Sequence, residues 1–65
     1  MIFIELHVAG EPRLYNLDSI AQIKPYNMES IVTLNGQAIG NIVDECYDNI
    51  REMIASRIQI REVDL

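Results

Sequence analysis

The chain predicts a small α+β domain, with about four antiparallel strands in a meander packed on one C-terminal amphipathic helix. Three observations lead there. Apolar and polar residues alternate from Ile2 to Val8, the period of a strand with one buried face. Asn35-Gly36, a pair suited to a tight hairpin, stands between two short apolar runs. After Gly40 the apolar positions change to spacings of three and four, the period of a helix. The connections between these segments are short, and short connections join neighbouring strands of an antiparallel meander. With 65 residues there is room for one domain, residues 1–65.

Each element has a local cause. Ile2, Ile4, Leu6 and Val8 alternate with Phe3, Glu5 and His7, so the first strand turns one apolar face inward. Ala9-Gly10-Glu11-Pro12 breaks it, since Gly permits positive φ and Pro donates nothing to a ladder. Arg13-Leu14-Tyr15 resumes an extended run, and Asn16-Leu17-Asp18-Ser19 interrupts with side chains that bond the nearby backbone. Ile20 to Lys24 reads as a further strand stopping at Pro25, with Tyr26 to Ser30 as a loop. Ile31 to Leu34 and Gln37 to Ile39 flank Asn35-Gly36 as a type I′ hairpin.

The helical face consists of Val43, Cys46, Tyr47, Ile50, Met53, Ile54 and Arg57. Asn41 is placed to cap it, with Asp44 three positions on, and Gly40 ends the preceding strand. Asp44 and Glu45 suit the positive end of the helix dipole, and Arg57 the negative end. From Ile58 the helical period is lost. Ile58 and Ile60 alternate with polar residues, as in a short last strand or an arm reaching a neighbouring chain.

In order and content these motifs resemble the small flagellar FlbD (SwrD-type) proteins over about residues 1–55. The chain opens with an apolar strand and a Gly-containing turn. Asn16-Leu17-Asp18-Ser19-Ile20 is similar to the family's Asn-Pro-Asp-Leu-Ile segment. Thr33-Leu34-Asn35-Gly36 resembles its Leu-Thr-Asn-Gly hairpin, and Val43-Asp44-Glu45-Cys46 its Val-Glu-Glu-Val helix start. The resemblance implies a non-enzymatic accessory protein, and similar short chains also occur in phages and mobile elements.

Composition narrows the function classes. A hydrophobic share of 49% against 23% charged residues is that of a globular chain rather than a disordered one. Ten acids against five bases give a formal charge of −5, so a surface that tracks nucleic-acid phosphates is disfavoured. No apolar run approaches the ~18 residues of a membrane span. Cys46, the one cysteine, excludes a disulfide framework within the chain and fits a reducing compartment. The start, Met1 to Glu5, lacks the basic flank and long apolar core of a signal peptide, so a cytoplasmic protein is expected. Burial for a chain this short is worth on the order of 100 kcal/mol and ordering it costs about as much. Such a balance favours self-association or a partner.

No residue pattern announces catalysis, a cofactor or a metal. Cys46 falls on the apolar helix face, where a thiol packs as a small hydrophobe. His7 is the only histidine, and a metal site would need further ligands from elsewhere. His7 shares its strand face with Glu5, and a within-chain histidine–glutamate contact across the sheet surface is the simpler expectation, although two His7 residues could also meet across a dimer. Gly10, Gly36 and Gly40 are isolated and form no phosphate loop. What remains is surface. Asp44, Asp48 and Glu52 form an i, i+4, i+8 acidic stripe suited to a basic partner, with Tyr26 as an exposed contact residue. The second sheet face carries Phe3, His7 and Tyr15, and is the expected homo-oligomer face. The function expected is therefore that of a homo-oligomeric protein-interaction module. The alternative is a phage-type acidic inhibitor, or a protein that sequesters a small ligand between subunits.

Overall fold

A computed structural model describes residues 2–57; the expected strand or arm from Ile58 onward lies outside them. The fold is α+β. The elements run β1 (Phe3–Val8), β2 (Glu11–Asn16), a 3-10 turn (Leu17–Ser19), β3 (Ile20–Tyr26), β4 (Glu29–Leu34), β5 (Asn41–Val43) and α1 (Tyr47–Arg57). β1 and β2 form one antiparallel sheet, and β3, β4 and β5 form a second in that order. Among the described residues, the single meander of about four strands is thus replaced by five strands in two sheets. A backbone bond joins them, the Asp44 amide donating to the His7 carbonyl at 2.7 Å, while the Leu17 amide, donating to the Ile2 carbonyl at 2.9 Å, extends the β1–β2 ladder by one pair.

The turns explain the difference. Ala9 (φ 50°) and Gly10 (φ 82°) both take positive φ between the paired residues Val8 and Glu11. That is the type I′ geometry, whose twist matches the flanking strands. Residues flanking such a turn exchange hydrogen bonds, and the next pair along does not. Pro12 follows Glu11, and Pro25 precedes Tyr26 at the Asn27-Met28 turn, where Tyr26 pairs with Glu29. Each proline nitrogen therefore faces away from the partner strand. Both also lie on edge strands, so β2 starts at Glu11 and β3 continues to Tyr26 without losing a ladder bond.

At Asn35-Gly36 only Gly36 has positive φ (82°), and the Gln37 amide donates to Leu34 at 3.1 Å. This is the type II pattern, which splays the flanking strands rather than pairing them. Gln37 to Ile39 accordingly form no strand, and the chain returns to β4 only at Asn41. β5 pairs Asn41 with Val32, Ile42 with Ile31 and Val43 with Ser30. Gly40 sits close against β4 on the way. A Cβ there would collide with the Ile31 side chain and stand 2.8 Å from Thr33 Oγ1.

Because Asn41 to Val43 are paired, the helix cannot begin there. It begins at Tyr47, and the Cys46 carbonyl accepts the Ile50 amide at 3.1 Å. The core comprises Ile4, Leu6, Tyr15, Val32, Val43 and Ile50, with Met53 and Ile54 packed against it. Tyr15 belongs to this core, not to the outer face. The two-residue turn sets Ile4 opposite Tyr15 and Glu5 opposite Leu14, so Leu14 joins Phe3 outside.

Candidate functional site

The polar junction between the two sheets is built around His7, near the end of β1. Glu45, in the short link between β5 and α1, holds it twice: Oε1 accepts the His7 amide at 2.8 Å and Oε2 meets Nδ1 at 2.5 Å. Asp44 completes the clasp, since its Oδ2 accepts the Gly10 amide at 2.8 Å while its own amide donates to His7. From the other side, the buried Ser30 hydroxyl donates to the Glu45 carbonyl at 2.8 Å. The β1–β2 hairpin is thereby fastened at its turn to the start of the helix.

Charge follows from this geometry. The bond to Glu45 raises the His7 pKa above 6.5, against a lowering by burial, and the charges of Glu45, Glu5 and Asp44 add to the rise. Burial pushes the Glu45 carboxyl up, but the bonds from the His7 ring and backbone outweigh it and hold the group below 4.5. His7 Nε2 stands 3.9 Å from Glu5 Oε2, a looser and more exposed contact. The contact expected across the strand face, with Glu5, is thus the weaker one, and the principal partner is Glu45 from the β5–α1 link. No sequence signal joins positions 7 and 45, which lie 38 residues apart.

The predicted site residues are dispersed. Asp44 is in the link rather than on the helix, because β5 occupies the residues that would have formed the first turn; the three-residue acidic stripe does not exist. Asp48 and Glu52 are exposed on α1, and Tyr26 is 44% exposed at the end of β3 rather than in a loop. Phe3 is exposed on β1, with its carbonyl 3.4 Å from Arg57 Nη1. Cys46 is half-buried just before the helix, beside a shallow cleft it shares with His7, Gly10, Met28 and Asn49. Among the described residues no three histidine, cysteine or carboxylate groups converge on a metal position, and no helix is long and apolar enough to cross a membrane.

A second surface was not legible in the sequence. Between α1 and the edge strand β3 runs an apolar groove of about 390 Å³, lined by Leu17, Ile20, Ile23, Tyr47, Ile50 and Ile54. Its existence depends on how α1 crosses β3, which no local pattern specifies. No known protein family, curated protein or solved structure matches this chain.

Proposed function

We propose that the chain is a non-enzymatic protein-interaction module that works as a homo-oligomer in the cytoplasm. One observation carries the reading. Among the described residues, seven large hydrophobic side chains are exposed while six hydrophobic residues are buried, and Leu14, Met28 and Ile39 are 68%, 82% and 82% exposed. A monomer that leaves so much apolar surface in water gains from covering it. Three groups capable of chemistry are engaged in structural bonds: His7 with Glu45, Ser30 with the Glu45 carbonyl, Ser56 with the Met53 carbonyl. The FlbD resemblance implies the same class of accessory protein.

Phe3 and Leu14 on the outer face of β1–β2 form the self-association surface, and the α1–β3 groove with Asp48 on the same helix is open to a second protein. Sedimentation over a concentration series tests the first part. Leu14→Lys places a lysine opposite Glu5, which suits the hairpin while removing apolar surface. The wild type should gain mass with concentration and the variant should remain monomeric; a monomeric wild type at every concentration overturns the oligomer. A ligand-sequestering role draws support from the groove volume alone, and native mass spectrometry would reveal it as retained small-molecule mass.

A further inference from the structure

The clasp at His7 has an arrangement beyond what holding two sheets together requires. A single imidazole sits among three carboxylates from two segments: Glu5 on its own strand, and Asp44 and Glu45 on the link. Among the described residues, these three carboxylates are the charges that act on the ring. Pro12, opposite His7 on β2, is neutral, and Arg13 on that strand stands 4.0 Å from Glu11. Asn49 of α1 and Met28 of the β3–β4 turn border the cleft without charge, Cys46 contributes a thiol, and Ser30 of β4 is spent on the Glu45 carbonyl.

We propose that the His7–Glu45 pair is a pH-operated latch that fastens the Ala9-Gly10 end of the β1–β2 hairpin to the Asp44–Cys46 link. With the imidazole protonated, Nδ1 and the carboxylate form a charge-assisted bond, which is stronger than its neutral counterpart. Loss of that proton leaves three carboxylates around a neutral ring. The latch then loosens, and the Gly10–Asp44 bond, which shares the same link, loosens with it. On the acid side, protonation of Glu45 removes the anion that accepts both the ring and the His7 amide.

The direction follows from linkage. His7 binds its proton more tightly in the closed state, so the latch is firmest below the ordinary value of 6.5 and weakens as pH rises through the higher closed-state value. Glu45 binds its proton less tightly when closed, so closure is favoured above 4.5 and weakens as pH falls through the lower closed-state value. The closed window lies between the two. On the alkaline side the closing constant falls about tenfold for each pH unit by which the ring's midpoint is raised.

Nuclear magnetic resonance of the intact chain tests this. The ring of His7 should titrate above 6.5, with the Gly10 and His7 amide signals moving at the same midpoint. Protection of those two amides from hydrogen exchange, corrected for intrinsic rate, should fall from pH 6 to pH 9 by the factor the midpoint predicts. It should also lie below that of the Leu6 amide and be insensitive to low denaturant, as local opening requires. In Glu45→Gln the ring midpoint should drop toward 6.5. Ring titration at an ordinary value, Gly10 and His7 protection unchanged with pH, or protection equal to that of Leu6 throughout would each overturn the latch.

Discussion

Ala9 holds φ near 50° in the first turn, a conformation that costs an L-residue roughly 1–2 kcal/mol because its Cβ crowds the following carbonyl. Asn tolerates that region, so Ala9→Asn should stabilise the fold by roughly 0.5–1 kcal/mol, read as a higher denaturation midpoint with unchanged slope. Gly40 behaves oppositely. A methyl group there meets Ile31 and Thr33, so Gly40→Ala should destabilise by about 1–3 kcal/mol and loosen β5 from β4. Both positions were visible in the sequence as turn punctuation. Which of them needed its particular backbone was not, because the need arises from register at position 9 and from a neighbouring strand at position 40. His7 shows the same limit: its chemistry is obvious in a list of residues, but its partner is 38 positions away.

At the scale of elements, the helix is the instructive case. The three-and-four spacing correctly placed Ile50, Met53 and Ile54 inward, but Val43 extended the same period by coincidence. Val43 is buried because β5 pairs with β4, and a strand residue and a helix residue satisfy the same apolar requirement. On α1 itself, Asp48 lies in the first turn, where the helix dipole favours an anion, whereas Glu52 stands one turn further in with a like charge four residues before it. Glu52→Lys should therefore stabilise by about 0.2–0.5 kcal/mol or slightly more, measured by thermal unfolding. Asp48→Asn should cost roughly 0.3–1 kcal/mol. The prolines carry a second lesson. Pro12 and Pro25 read as breaks, yet each falls at an outward-facing position of an edge strand, where a missing N–H costs the ladder nothing.

For the molecule as a whole, the clasp between the sheets makes stability depend on pH. The contribution from His7 is full below 6.5 and is lost as pH rises through its raised value; that from Glu45 is full above 4.5 and is lost as pH falls through its lowered value. Denaturation midpoints should peak between those limits, and His7→Gln should flatten the alkaline side; an equally steep alkaline fall in that variant would place its cause elsewhere. Self-association belongs to this scale too. The formal charge of −5 opposes bringing copies together, so added salt should strengthen the proposed self-association by screening.

Local patterning alone determined the α+β class, the inward face of β1, the main apolar face of the helix and the surplus of acid over base. Each depends on periodicity or composition, which need only neighbouring residues. Tertiary structure decided the division into two sheets, the burial of Tyr15, the late start of α1, the groove against β3 and the grip of Glu45 on His7. Those depend on which backbone groups find partners across long stretches of chain. A buried strand and a buried helix can share one apolar pattern, and only the pairing of β5 with β4 chooses between them.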